Sequence, residues 1–208
     1  MTRQSIAVMV SGRGTNLAAI LEAASNGKCP VDVRVVLSNK VDAPALQIAR
    51  DAGVDTILFI NPKDYPDRVA YDQACSKVIE IRQCDWVVLA GYMRILSSGF
   101  VSHFENRLIN IHPALLPSFT GADGVADALA YGVKFSGCTV HLVHEEVDAG
   151  PILAQASVPV LNDDSVESLH QRIQKEEYTL YPNTLRRLVE EGFHLEGRRV
   201  IWHTEDLS

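Results

Sequence analysis

Asn110 and His112 stand two residues apart at the end of a short apolar run, Leu108 to Ile111. In an extended segment that spacing puts both side chains on one face. Pro113 follows; it has no N–H, so regular strand pairing stops there. An amide and an imidazole at the terminus of a core strand pack poorly and are well placed for chemistry. The asparagine amide can hold an oxygen as it becomes negative. The histidine can move a proton near neutral pH. Read alone, the pair also fits a polar strand end capped by water.

Asp148 lies in the turn Val147-Asp148-Ala149-Gly150-Pro151, after a core strand. Beside His112 it would fix the imidazole tautomer and favour the protonated ring. Alone, it is an ordinary turn aspartate. A second chemical signal comes early in the chain, where Gly12-Arg13-Gly14-Thr15-Asn16 joins an apolar run to a helical one. Strand, glycine turn and helix together bind phosphate: backbone N–H groups at the helix start point at the anion, and glycine permits close approach. Thr15 and Asn16 can add side-chain donors. Leu17 stands where a dinucleotide fingerprint needs its third glycine, and no Gly-Lys-Ser/Thr follows. The loop therefore reads as a phosphomonoester site, not a NAD or ATP site. The structural alternative is a tight turn closed by two glycines.

These residues need elements to position them. The expected order is strand 5–11, a helix from Leu17, strand 31–38, helix 43–52 and strand 56–60. A long helix from Asp64 to about Arg82 and a strand over 85–90 come next. Strands alternating with helices imply a parallel sheet with right-handed crossovers. Ligands sit outside the carboxyl ends of such strands. The Gly12 loop, the loop from Gly91 and the Asn110–His112 segment all follow strand carboxyl ends. After a loop at 118–124, a helix is expected over 125–131 and an alternating strand over 137–146. A strand over 152–160 follows a short connection and pairs back antiparallel. Ser165 opens a last long helix to about Glu191, which Pro182 should kink or restart. Arg198 to His203 reads as a terminal edge strand. The expectation is one α/β domain over 1–208, parallel in its first half and mixed in its second, with helices on both faces.

Composition bounds the function. The chain has 208 residues, 47% hydrophobic and 22% charged, with a net charge of −7. Those are the proportions of a globular protein. Charges of both signs are interleaved and no basic block stands out, so nucleic acid is not an expected partner. No apolar stretch reaches the roughly 20 residues a bilayer span requires, and no membrane partner is expected. The N-terminal apolar run is too short for a signal peptide. Cys29, Cys75, Cys84 and Cys138 are scattered without a Cys-x-x-Cys and read as reduced, mostly buried thiols of a cytoplasmic protein. His103, His170, His194 and His203 read as surface or half-buried. His141 and His144, with Glu145 and Asp148, invite a metal reading. Residues three apart in a strand point to opposite faces, so no metal is expected.

The run Asn110-Ile-His112-Pro-Ala-Leu-Leu-Pro117, with Asp148-x-Gly-Pro downstream, resembles the signature of folate-dependent formyltransferases and formyl hydrolases. Ser11-Gly-Arg-Gly-Thr-Asn-Leu17, Ser38-Asn-Lys40 and Leu89-Ala-Gly-Tyr-Met-Arg-Ile-Leu96 resemble the branch that formylates phosphoribosylglycinamide in purine synthesis. The resemblance covers essentially the whole chain. It implies a single-domain Rossmann-like formyltransferase fold and direct transfer of a formyl group from 10-formyltetrahydrofolate, as co-substrate, to the glycinamide amine. It makes Asn110, His112 and Asp148 the catalytic residues. It places the substrate's phosphate on Gly14, Thr15 and Asn16, and its ribose and glycinamide end near Glu177, Tyr178, Thr179 and Leu180. For the folate it implies Met93, Arg94, Ile95, Leu96 and Asn110, with His144, Glu145, Glu146, Val147 and Asp148. Arg68 would meet the folate's glutamate tail.

On this resemblance residues 1–100 form the phosphate-binding half and 101–208 the folate-binding and catalytic half. The partners are small molecules, and the protein is a monomer or homodimer. A methionyl-tRNA formyltransferase is expected to add a C-terminal barrel with a basic surface. A formyltetrahydrofolate hydrolase is expected to carry a regulatory domain before the first strand. Two positions depart from the pattern: Asp123 stands where many relatives have histidine, and Ala114 where serine is common.

Overall fold

The computed structural model describes residues 3–203. Its centre is a seven-stranded sheet in the order β3-β2-β1-β4-β5-β6-β7. These strands are β1 (Gln4–Val10), β2 (Val31–Ser38), β3 (Thr56–Phe59), β4 (Trp86–Leu89), β5 (Leu108–His112), β6 (Phe135–Leu142) and β7 (Ile152–Pro159). The first five pair in parallel, and β6 and β7 join antiparallel. The expected change from a parallel to a mixed sheet falls at β5.

Strand order reverses direction at β1. The chain runs outward from β1 to β3, returns to β4 on the other side, and continues to β7. Crevices for ligands open at such a reversal. The loops after β1 and β4 flank it.

The strands are near-continuous apolar runs because both faces are covered. Ile6, Val8 and Val10 of β1 join one buried cluster with Leu17, Ile20, Tyr181 and Leu185. Ala7 and Met9 join the other, with Tyr71, Cys75, Phe100 and Phe104. The helices divide accordingly. On the first face lie α1 (Thr15–Ser25) and α6 (Val166–Glu190); on the second lie α3 (Arg68–Ile81) and α4 (Ser98–His103). The remaining helices are α2 (Pro44–Asp51) and α5 (Gly124–Tyr131). A register shift sets Ile6 opposite Val33 but Ala7 opposite Val35. Arg34 is the extra residue, and beyond it β2 exchanges which side chains meet which face.

Several expectations need correction. The helix expected from Asp64 begins at Arg68: Asn61 caps a 3₁₀ turn at Pro62–Asp64, and Asp67 caps α3 by accepting the Ala70 N–H at 2.8 Å. Pro182 does not restart the last helix, which runs on through it from Val166 to Glu190. Ser165 and Ser168 form a reciprocal cap at its start, and Tyr181, Leu185 and Leu188 anchor the part beyond the proline in the core. Packing along the long helix outweighs the one backbone bond a proline removes. Strand β6 spans 135–142, not 137–146, and is buried along nearly its whole length. Residues 199–202 do not edge the main sheet; they form β9 (Arg199–Trp202), paired only with β8 (Phe193–Glu196) in a separate hairpin. No helix among the described residues is long and apolar enough to cross a membrane.

Candidate active site

Antiparallel pairing sets Asn110 opposite His141 and His112 opposite Thr139. Directly opposite residues share a face of the sheet. Ile109 and Ile111 turn to the α1–α6 cluster, so Asn110 and His112 turn the other way, as their spacing required. The loop after β6 brings Asp148 over this face.

Asp148 Oδ2 lies 3.4 Å from His112 Nδ1, both side chains being largely buried. The same oxygen accepts the Gly121 N–H at 2.8 Å. His112 Nε2 faces the Phe119 carbonyl at 2.7 Å. Both ring nitrogens therefore face oxygen atoms, the Asp148 carboxylate on one side and the Phe119 carbonyl on the other. The loop after Pro117 folds back tightly against this ring. A side chain added at Gly124 would come within 3.0 Å of His112 Nε2 and 2.7 Å of the Phe119 oxygen. Thr139 holds the base of that loop: its hydroxyl donates to the Ala114 carbonyl at 2.7 Å and accepts the Leu116 N–H at 3.1 Å. Asp123 sits at the start of α5 and makes no capping bond.

The sequence offers His141 only as a metal ligand beside His144, a reading that strand alternation argues against. His141 is 1% exposed. Its Nδ1 faces the Leu142 carbonyl at 2.9 Å, and its Nε2 lies 3.3 Å from Asn110 Nδ2 and 3.6 Å from Asp148 Oδ1. Burial holds the ring below the ordinary imidazole value, outweighing the Leu142 carbonyl and the Asp148 charge, which raise it. Its cross-strand register with Asn110 was the signal, and the sequence does not print register. Arg198, in the turn of the C-terminal hairpin, also escaped notice; its guanidinium donates to the Ala149 carbonyl at 2.7 Å, beside Asp148. Among the described residues no group of three histidine, cysteine or acidic side chains could hold a metal ion.

The glycine loop lies on the same rim. Ser11 N–H donates to the Gly91 carbonyl at 3.1 Å, and the Ser11 hydroxyl accepts the Met93 N–H at 2.8 Å and donates to Asn39 at 2.6 Å. One serine thus joins the loops after β1, β2 and β4. Gly14 has φ +77°, and a Cβ there would sit 2.6 Å from the Ala45 Cβ. Only glycine lets α1 begin so close to α2. No side chain caps α1 at Gly14, so its first N–H groups stay open to an anion.

Asn16 is turned inward. Its amide donates to Glu177 Oε2 at 2.9 Å, and its own Oδ1 is buried without a partner among the described residues. Burial pushes the Glu177 carboxyl above its ordinary value, and the Asn16 bond only partly offsets this. The run 177–180 divides. Glu177 faces Asn16, and Leu180 packs against the core. Tyr178 and Thr179 line a groove of about 570 Å³ between α1 and α6, together with Thr15 and Pro182. That groove is not lined by Asn110, His112 or Asp148.

The segment after β4 alternates. Met93 and Ile95 are 72% and 63% exposed, an apolar rim beside β5. Arg94 folds inward, its guanidinium 4.8 Å from the centre of the Tyr71 ring, while Leu96 packs partly on the core. His144, Glu145, Glu146 and Val147 are exposed around the buried Asp148 carboxylate. Arg68 stands exposed at the first position of α3.

The sequence pattern of the formyl transferase family matches residues 4–185. The chain is 44% identical over 178 residues to the phosphoribosylglycinamide formyltransferase of Escherichia coli, covering 86% of this chain and 84% of that one. It is 41% identical over 202 residues to the trifunctional purine biosynthetic protein adenosine-3 of Bos taurus; the match takes 97% of this chain but only 20% of that protein's length. A crystal structure of glycinamide ribonucleotide transformylase 1 from Symbiobacterium toebii superposes with a TM-score of 0.94 at 46% identity, over 97% of this chain and 95% of the other. The chain belongs to the formyl transferase family, among the phosphoribosylglycinamide formyltransferases.

Proposed function

We propose that the protein transfers a formyl group from 10-formyltetrahydrofolate to the amine of N1-(5-phosphoribosyl)glycinamide, a step of purine biosynthesis. The observation that carries this reading is the His112–Asp148 contact at 3.4 Å, with Asn110 on the same face of β5. The amine is already a nucleophile, so no covalent enzyme intermediate is required. Its attack on the formyl carbon makes a tetrahedral centre with a negative oxygen. Asn110 and protonated His112 stabilise that oxygen, and the Asp148 carboxylate stabilises the charged ring. The proton lost by the amine reaches the folate nitrogen through His112 or water. Nε2 of His112 is held by the Phe119 carbonyl at 2.7 Å, so the loop at 118–124 withdraws from that nitrogen when the oxyanion takes its place.

The substrate's phosphate sits on the open N–H groups at Gly14, Thr15 and Asn16, which suit an anion. Glu177, with Tyr178 to Leu180 behind it, meets the ribose and glycinamide end. The apolar rim of Met93 and Ile95, with Arg94 and Leu96, takes the pterin from one side, and residues 144–148 take it from the other. Arg68 meets the glutamate tail. In this reading residues 1–100 supply the phosphate cradle and 101–208 the catalytic strand and most of the folate wall, as one domain in the cytoplasm.

The test is folate turnover followed by absorbance, with and without the ribonucleotide. Turnover only when both are present supports the transferase. Turnover with folate alone would instead make the protein a formyltetrahydrofolate hydrolase, and ribonucleotide binding without turnover would make it a non-catalytic nucleotide module.

A further inference from the structure

Tyr181 is fully buried on α6, on the face of the sheet opposite the Asn110 side chain. Its hydroxyl lies 3.0 Å from the Leu89 carbonyl and 3.2 Å from the Ile109 carbonyl. Leu89 is the last residue of β4 and stands opposite Asn110 in the parallel register. The Ile109 carbonyl belongs to the peptide unit that also contains the Asn110 nitrogen. A single phenol proton is thus shared between two backbone oxygens beside Asn110, where β4 and β5 pair. One turn earlier on the same helix, Glu177 grips Asn16 of the phosphate loop at 2.9 Å.

We infer that Tyr181 is a positioning residue for formyl transfer: its hydroxyl fixes β5 at Ile109 against α6, and so sets Asn110 at a fixed distance from the ribonucleotide cradle that Glu177 and Asn16 close. This rests on the transferase reading above. Two observations favour a positioning role over plain packing. The ring would pack as well without its oxygen, since a phenylalanine fills the same space. The bond spans 72 residues of sequence and ends on the strand that carries Asn110 and His112, not on Tyr181's own helix. Burial holds the phenol far above its ordinary value, so it remains a donor at every pH at which the protein works.

Tyr181→Phe removes the donor and keeps the ring. Misplacing a reacting group by a fraction of an ångström is costly to rate and not to affinity. The variant is expected to lose about tenfold or more in kcat, with both KM values little changed. Faster amide hydrogen exchange in the 108–112 peptide should accompany the loss, a readout that needs no substrate. Para-aminophenylalanine at position 181 restores a donor of similar reach and should recover most of kcat. Thr184→Ala is the control. It deletes another buried hydroxyl of the same helix, which among the described residues bonds only to the Leu180 carbonyl at 2.7 Å. It should lower thermal stability while leaving kcat and the exchange of 108–112 as in the wild type. Unchanged kcat and unchanged exchange in Tyr181→Phe would overturn the inference, as would an equal kcat loss in Thr184→Ala. If the wild type fails to use this substrate pair, the transferase reading falls. The exchange arm then decides alone: unchanged 108–112 exchange in Tyr181→Phe overturns the tie to β5, and faster exchange supports it.

Discussion

Asn110 Nδ2 lies 3.3 Å from His141 Nε2, while His141 Nδ1 lies 2.9 Å from the Leu142 carbonyl. The carbonyl can only accept, so Nδ1 carries the proton and Nε2 presents a lone pair. The buried, neutral ring therefore accepts from the Asn110 amide and fixes which way that amide points. One Asn110 N–H is used on His141; in the proposed transfer the other is the donor for the oxyanion.

His141→Phe keeps a flat ring of similar size and removes the acceptor. With the Asn110 amide free to rotate, kcat should fall about tenfold, because a preorganised donor is lost, while both KM values change little. Steady-state kinetics with each substrate varied in turn reads this. A rise in folate KM with unchanged kcat would assign His141 to binding instead.

Asp148 Oδ2 lies 3.4 Å from His112 Nδ1, and it also accepts the Gly121 N–H at 2.8 Å. Asp148→Asn keeps the size and removes the charge. The expected loss in kcat is about 10²-fold to 10⁴-fold, the range for removing the carboxylate partner of a catalytic imidazole. Circular dichroism should show the fold intact.

Glu177 links stability to pH with a definite sign. Its folded-state value is raised above the ordinary 4.5, so the folded state binds the proton more tightly than the unfolded chain does. The resulting stabilisation is complete below 4.5 and is lost as pH rises through the raised value. Glu177→Gln stays neutral throughout. It should melt higher than the wild type at neutral pH, and the advantage should shrink toward pH 4. The same change should raise the ribonucleotide KM about tenfold by weakening one charged hydrogen bond. Melting curves across pH and substrate titrations check the two halves separately.

Gly14→Ala combines a left-handed backbone with a Cβ 2.6 Å from Ala45. The backbone strain and the overpacking together should cost on the order of 3 kcal/mol. The displaced α1 terminus should also lose its grip on phosphate. Denaturant unfolding measures the first, and ribonucleotide KM in the remaining folded enzyme measures the second.

The parallel half of the fold was legible because its strands are buried on both faces and read as unbroken apolar runs between glycine turns. Asn110 and His112 stood out because polar groups at a strand end conflict with packing; Asp148, in the turn between β6 and β7, stood out only through the family resemblance. What escaped depends on register or on tertiary contact. His141 looks like any residue of a regular strand until its opposite number is known. Helix α4 is a single short amphipathic stretch, Ser98–His103, with too few turns to show a period. The C-terminal hairpin holds itself together through Trp202 against Phe193 and the stacked His194 and His203, so half of it passed for an edge strand. Pro182 sits inside a helix whose flanking turns are anchored in the core, a context no local rule anticipates. The inward turn of Asn16 followed from Glu177, 161 residues away.

The central claim is that the formyl carbon passes directly from folate to amine beside His112. Mass analysis of the products from [13C]formyl-labelled 10-formyltetrahydrofolate and the ribonucleotide, run in 18O-water, tests it most directly. The account predicts that the 13C label appears in the formylated ribonucleotide, with no 18O in its new formyl group. Label recovered as free formate carrying 18O, with the ribonucleotide unchanged, would contradict it.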